Sequence, residues 1–352
     1  NIWLFADPFG PENILGSWTD APVAETVMRA LPNGKLLALL TLLFGVGLEL
    51  QYRSAVRRGL SWPGRYPWRA TLLFVEGLLH YVLVFEFDVL MGYALCSILV
   101  AYLVGRSEQV IRRWMIAQGV VLGSIVVAVT AALVFLPDEN GGGVPRENVY
   151  ADGTWLAQVA HRLELWPVFR LEVLVIVPLA TGLFLAGVRL LRAGVFEDTE
   201  HGDRLRRRLM VVGFGVGVPM NVLTTMAGPD WFMVDRYVAP PIIALALLGL
   251  VTTTLHRMRS RPGPVRRGLT CVGRTALSCY VLQNVLASIL CYGWGLGLAE
   301  TLAGVRPWWV VGAWLGITVA LMVSSALWLR RFERGPLELA WRWAHRLPWR
   351  RA

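Results

Sequence analysis

The amino-acid sequence predicts an all-α polytopic membrane protein, and three features of the chain support this class. Of its 352 residues 55% are apolar and only 16% are charged, whereas about a quarter are charged in a typical soluble domain. Long apolar stretches recur along the whole chain. The basic residues alternate between rich and poor connecting segments, as they do in proteins that cross a membrane many times.

Nine apolar stretches are long enough, or nearly so, to cross a bilayer as helices. The chain also opens on an apolar segment, residues 1–5, which we interpret as the end of a further helix. We therefore expect one transmembrane domain, residues 1–352, built as a bundle of about ten helices whose first member is largely absent from this numbering. The nine stretches are 36–51, 70–85, 88–104, 115–135, 166–191, 209–227, 237–255, 270–298 and 308–329.

The distribution of arginine predicts the orientation of these helices. One set of connecting segments holds 25 of the 34 basic residues, and the alternate set holds 6. Because basic loops stay on the cytoplasmic side, the first set is predicted to be cytoplasmic.

Residues 136–165 then form an outer loop, which could be a lid or a tolerated insertion. Residues 330–352 form a cytoplasmic amphipathic tail whose helix starts at Pro336. This pattern accounts for the net charge of +10, so no nucleic-acid partner is expected. The basic segments are 52–69, 105–114, 192–208, 256–268 and 330–352.

Candidate catalytic residues lie in the helical hairpin predicted over residues 71–103. Glu76 and His80 are four positions apart, which places them on one helix face, and Asp88 opens the returning helix. Ionisable side chains at membrane depth are costly and often functional. We expect His80 to be a general base that Glu76 or Asp88 orients. Alternatively, the three side chains form a polar cluster that only joins helices.

Ten further polar residues are candidates for substrate binding. Those near the predicted outer face could hold an anionic group or neutralise the hairpin acids. Those in the stretch 270–298 could line a hydrophilic cavity, or could form hydrogen bonds between helices. The four cysteines lie in or beside apolar stretches without a C-x-x-C pair, so no metal site is expected. The first group is Arg170, Glu172, Asn221, Asp235 and Arg236; the second is Arg274, Ser278, Tyr280, Gln283 and Asn284.

Several motifs resemble those of the YeiB-like family, a bacterial membrane family defined as a domain of unknown function. Residues 273–284, GRTALSCYVLQN, are similar to its signature G-R-x-A-L-T-x-Y-L-x-Q-S. Residues 43–47, 77–80, 88–94, 291–297 and 332–342 resemble its other motifs, although Phe87 replaces a glycine before Asp88. The family is grouped with transmembrane acyltransferases, so the resemblance implies acyl transfer across a bacterial plasma membrane.

The leading expectation is an integral-membrane acyltransferase. It would move an acyl group from a cytoplasmic donor such as acyl-CoA to a hydroxyl or amine of a small molecule, glycan or lipid at the outer face. The alternative is a proton-coupled transporter or flippase for a lipid or small metabolite, in which the buried acids carry the coupling protons. A third hypothesis, a non-enzymatic membrane component, leaves the buried histidine and acids unexplained.

Overall fold

A computed structural model describes residues 2–11, 22–135, 148–258 and 263–346, and these parts of the chain are helical with connecting turns. The predicted all-α membrane fold is thereby confirmed. The helices in chain order are α1 (Ile2–Phe5), α2 (Val23–Ala30), α3 (Lys35–Arg57), α4 (Tyr66–Leu83), α5 (Leu90–Leu103), α6 (Glu108–Phe135), α7 (Trp155–Glu164), α8 (Trp166–Phe169), α9 (Val173–Arg192), α10 (Glu200–Ala227), α11 (Phe232–Tyr237), α12 (Ala239–Arg257), α13 (Pro264–Arg274), α14 (Ala276–Cys291), α15 (Leu298–Thr301), α16 (Trp308–Trp328) and α17 (Pro336–Arg346).

The described residues include six helices that are long and apolar enough to cross a membrane, or seven if the bent pair α13 and α14 is one span. The predicted number of about ten transmembrane helices is therefore approximate. The predicted stretches coincide with α3 to α6, α9, α10, α12 and α16. α4 interrupts its apolar sequence with Glu76 and His80, and α5 has only 14 residues. These two helices form the hairpin that carries the candidate catalytic residues.

The core of the bundle is formed by α3, α5 and α9, with α4 and α6 packed beside them. Its centre contains fully buried side chains such as Phe184, Leu185 and Val188 of α9. α10 and α12 pack closely against each other, and α14 and α16 form a further group with α1. α6, α10 and α16 expose rows of large apolar side chains, which is typical of helices that face lipid.

The predicted stretch 270–298 is not one straight span, and this expectation is corrected. α13 and α14 meet at an angle of 97°. The break is stabilised from outside the stretch, because the carboxylate of Glu338 accepts hydrogen bonds from Leu277 N at 2.8 Å and Ser278 N at 3.3 Å. An acceptor of this kind satisfies first-turn N–H groups at a helix start. Glu338 belongs to α17, so the signal lies about sixty residues away from the bend.

The connection between α4 and α5, residues 84–89, is buried inside the protein. Phe85 and Glu86 have no exposed surface. The segment 148–170 covers this connection, and its Trp155 Nε1 donates to the carbonyl of Leu83 at 2.9 Å. The predicted outer loop 136–165 thus contains helix α7 in its second half, whereas residues 136–147 lie outside the described parts of the chain.

Candidate functional site

His80 and Asp88 form a buried pair at the end of the α4–α5 hairpin. His80 Nδ1 lies 2.8 Å from Asp88 Oδ2, and their side chains are 1% and 0% exposed. Of the two carboxylates that were expected to orient His80, Asp88 makes this contact. A carboxylate bonded to Nδ1 holds the ring in one orientation and leaves Nε2 as the position that can accept a proton.

Two residues of α14 complete the site from the far end of the sequence. Tyr280 Oη donates to Asp88 Oδ2 at 2.9 Å, and Asn284 Nδ2 lies 3.1 Å from His80 Nε2. The residues are four positions apart, so they project from one face of α14. Both were predicted as binding residues, and the structure brings them into direct contact with the predicted catalytic pair.

Local sequence explains how the hairpin presents Asp88. Its Oδ1 accepts a hydrogen bond from Leu90 N at 2.8 Å, so the side chain satisfies an otherwise unpaired N–H at the start of α5. Gly77 lets the two helices approach closely, because a Cβ atom there would lie 2.7 Å from Met91 N and 2.9 Å from Asp88 Oδ1. The three contacts to the Asp88 carboxylate provide hydrogen-bond partners for both of its oxygens in a buried position.

Glu76 lies one turn from His80 but does not bond to it. Both of its carboxylate oxygens are buried and have no hydrogen-bond partner among the residues that the structure describes. It is within electrostatic range of Asp88 on one side and Glu338 of α17 on the other. Glu76 thus lies on α4 between the pair His80–Asp88 and the start of the helix at Tyr66.

A second polar cluster holds the buried connection between α4 and α5. Arg162 is fully buried, donates to the carbonyl of Val82 at 3.0 Å and lies 3.7 Å from Glu86 Oε2. Arg170 donates to the carbonyl of Glu86, and its guanidinium lies 4.2 Å from the ring centroid of Tyr81. These arginines satisfy carbonyls in the last turn of α4 and just beyond it, where a helix lacks internal donors.

Sequence reasoning did not single out Arg162. The residue lies in a predicted outer loop, where an arginine is ordinarily solvated, and the local sequence contains no signal of its burial. Arg170 was predicted to bind substrate, and it lies within electrostatic range of Asp88. Its hydrogen bond, however, goes to the carbonyl of Glu86, so it supports the same connection between α4 and α5 as Arg162 does.

Four other predicted binding residues form a separate network around α11. Asp235 accepts hydrogen bonds from Asn221 at 2.5 Å and Asn33 at 3.0 Å. Arg236 lies 3.7 Å from Glu172. Thr224 and Thr225 also donate to Asp235, and Tyr237 donates to Glu172. The charges of this network are paired with one another, and their contacts join α9, α10 and α11. The structure does not bring the network to His80.

The remaining predicted residues on α13 and α14 contact the tail or lie beside the site. Ser278 Oγ donates to Glu338 and accepts from Leu337 N at 3.0 Å, so the starts of α14 and α17 cap each other. Arg274 is exposed and donates to the carbonyl of Glu333 at 3.0 Å. Gln283 lies half-buried on α14. The described residues contain no group of His, Cys, Asp and Glu that could hold a metal ion.

Comparisons with known proteins agree with the sequence motifs. Residues 190–348 match a family model described as "Protein of unknown function (DUF418)". The chain is 24% identical over 367 residues to the uncharacterized protein YxaH of Bacillus subtilis strain 168, an alignment that covers 98% of this chain and 88% of that protein. It is 26% identical over 344 residues to the uncharacterized protein YeiB of Escherichia coli strain K12, with coverage of 88% and 80%. No solved structure matches the chain significantly. The family match and the two nearly full-length similarities confirm the resemblance to the YeiB-like family of proteins of unknown function.

Proposed function

We propose that the protein is an integral-membrane acyltransferase in which His80 is the general base. The observation that carries this proposal is the buried His80–Asp88 pair, whose 2.8 Å contact is supported by Tyr280 of α14. An imidazole held by a carboxylate is suited to take a proton from an attacking hydroxyl or amine. A histidine that only joined helices would need a hydrogen-bond partner. It would not need a carboxylate that is itself held in place by Tyr280 and by Leu90 N.

The chemistry requires no redox partner. Nε2 of His80 removes the proton from the acceptor hydroxyl or amine while the acceptor oxygen or nitrogen attacks the carbonyl carbon of an acyl thioester. The new C–O or C–N bond forms, the C–S bond breaks, and the thiolate leaves with the proton that His80 returns. Asp88 stabilises the intermediate imidazolium. Asn284 contacts Nε2 in this structure, so the acceptor replaces its amide when it binds.

The proposed reaction is directed across a bacterial plasma membrane. The arginine-rich segments, including the tail, lie on the cytoplasmic side and attract an anionic donor such as acyl-CoA. The acceptor, a small molecule, glycan or lipid, enters from the outer face, where the segment 148–170 covers the connection after His80. This arrangement is supported by the alternation of basic residues along the sequence.

A second candidate function has one observation in its favour. The buried carboxylate of Glu76 has no hydrogen-bond partner among the described residues, and an acid of this kind can carry the coupling proton of a transporter. Transport requires a protonatable Glu76 but no acyl group. Proton-coupled uptake that is lost in Glu76→Gln, together with the absence of acyl transfer, would favour this candidate.

The proposal is tested with the purified protein in lipid nanodiscs, radiolabelled acyl-CoA and a cell-envelope extract as acceptor. We expect His80→Ala and His80→Gln each to lower the rate of label transfer by about 10²–10⁴-fold, measured at a temperature at which each variant remains folded. His201→Gln is the matched control, because His201 is exposed on α10. Full transfer by the His80→Gln protein would contradict a catalytic role for His80.

A further inference from the structure

A cluster of basic side chains lies where α17 packs against the start of α4. Arg69 of α4 places its guanidinium 5.1 Å from the ring centroid of Trp341 of α17. Arg334, just before α17, is close enough to repel Arg69. His345 near the end of α17 lies close to Arg69 and Arg65. We call Arg65, Arg69, Arg334 and His345 the inner basic cluster.

The cluster brings basic side chains close to one another. Burial and the charges of Arg69 and Arg65 lower the pKa of His345. Arg69 interacts with one neutral acceptor, since its Nη1 donates to Gln51 Oε1 at 2.6 Å. An arginine has five N–H donors, and Gln51 is the one hydrogen-bond acceptor that the Arg69 guanidinium has among the described residues. An anion bound here would neutralise the repulsion.

The docking of α17 fixes this arrangement. Trp68 Nε1 donates to the carbonyl of Ala344 at 3.3 Å, and Glu338 accepts two N–H groups at the start of α14. α17 is thus held against α4 and α14 at the same time. The three arginines of the cluster are exposed, at a place where these contacts hold α4, α14 and α17 together.

The cluster lies on the same helix face as the candidate catalytic base. Arg69, Glu76 and His80 are separated by seven and four residues, which at 100° per residue places them within about 40° of one another on α4. Arg69 and His80 are about 16 Å apart along the helix axis at 1.5 Å per residue. An extended pantetheine arm has a comparable length. Glu76 lies between the two ends, and its carboxylate oxygens, which have no hydrogen-bond partner within the described parts of the chain, could accept the amide N–H groups of the arm.

We infer that the inner basic cluster binds the phosphate groups of the acyl donor, a phosphorylated pantetheine thioester, and that the donor extends along α4 past Glu76 to His80. This inference rests on the proposed function, because it assigns the donor of that reaction. Arginine favours phosphate because its planar guanidinium can form two parallel hydrogen bonds with phosphate oxygens.

The test measures binding of CoA without an acyl group, so that activity is not the readout. CoA is titrated by calorimetry into the protein in nanodiscs of phosphatidylcholine. We expect Arg69→Gln and Arg334→Gln each to weaken the Kd for CoA at least 10-fold, whereas Arg69→Lys retains part of the affinity. Arg113→Gln is the matched control, because Arg113 is exposed at the start of α6, in another arginine-rich segment. His80→Gln should bind CoA as tightly as the unsubstituted protein does.

The outcomes separate this inference from the proposed function. Unchanged CoA affinity in a doubly substituted protein, Arg69→Gln with Arg334→Gln, would overturn the inference even if His80 proves catalytic. A second outcome would also overturn the inference. If no CoA binds in phosphatidylcholine nanodiscs, and the arginines are needed instead for binding of phosphatidylglycerol, the cluster is assigned to lipid headgroups. If CoA binds through the cluster but His80→Gln transfers label normally, the donor site stands and the base assignment fails. Since Arg334 is exposed, its variant carries the test even if Arg69→Gln fails to fold.

Discussion

Tyr280 and Asp88 lie 192 positions apart in the sequence, and a hydrogen bond of 2.9 Å joins them in the buried site. The bond connects the α4–α5 hairpin to α14, the helix that also carries Asn284. A carboxylate at membrane depth needs such donors, because it has no water to solvate it. The position of His80 therefore depends on residues from both halves of the chain.

The first prediction concerns this bond. We expect Tyr280→Phe to lower the free energy of unfolding by roughly 1–2 kcal/mol, since it removes one donor from a buried carboxylate. Tyr292→Phe is the matched control, because its buried hydroxyl has no hydrogen-bond partner among the described residues, and it should change stability by less than about 0.5 kcal/mol. Denaturant unfolding in detergent measures both. Equal losses in the two variants would show that the Tyr280 hydroxyl has no special role.

The second prediction concerns the close approach of α4 and α5. Gly77→Ala places a Cβ atom 2.7 Å from Met91 N, and overpacking of this kind costs about 1–3 kcal/mol. At Gly47 of α3 a Cβ atom would have no neighbour within 4 Å, so Gly47→Ala should stabilise the helix by about 0.5–1 kcal/mol. The melting temperatures of the two variants should shift in opposite directions. An unchanged or raised melting temperature for Gly77→Ala would contradict the close packing at Gly77.

The third prediction concerns Arg162 and Glu86. Arg162→Met removes the guanidinium beside the buried Glu86 carboxylate and leaves that negative charge less well compensated, so it should destabilise the protein by about 3–5 kcal/mol. Adding Glu86→Gln to Arg162→Met removes that charge and should recover part of the loss. The two single variants and the double variant form a thermodynamic cycle, which is measured by unfolding in detergent. Strict additivity would mean that the two side chains do not interact.

The fourth prediction concerns the docked tail. Glu338→Ala removes the acceptor for Leu277 N and Ser278 N, so α17 should detach more often and its amide hydrogens should exchange faster. Glu333→Ala is the control, because Glu333 contacts Arg274 through its backbone carbonyl. Hydrogen exchange of residues 336–346, followed by mass spectrometry, should increase only for Glu338→Ala. Unchanged exchange would show that α17 stays docked without the Glu338 contacts.

The fifth prediction concerns orientation. Arg58 is exposed in an arginine-rich segment, and Leu163 is 53% exposed on α7. We expect a membrane-impermeant maleimide, added to intact cells, to label Leu163→Cys and to leave Arg58→Cys unlabelled until the cells are opened. Labelling of Arg58→Cys in intact cells would reverse the proposed topology and place the inner basic cluster outside.

The fold class and the positions of most helices could be predicted because long apolar stretches and basic connecting segments are local signals. His80 and Asp88 could be singled out for the same reason, since an ionisable residue stands out in an apolar context. The choice between Glu76 and Asp88 as the partner of His80 could not be made, because it depends on how α5 turns after the buried connection. The bend before α14 was also not predictable, since Glu338, which stabilises it, belongs to another helix.

The buried connection between α4 and α5 has a consequence for biosynthesis. Arg162, which donates to the carbonyl of Val82, is made 80 residues after it, and Asn284 follows His80 by 204 residues. The hairpin therefore enters the membrane before its partners exist, with polar groups that only later parts of the chain can satisfy. A nascent chain that stops before α14 contains both His80 and Asp88 but cannot hold them in place. The site is thus completed only when α14 has been made, and a product truncated before α14 is left with a hairpin that lacks these contacts.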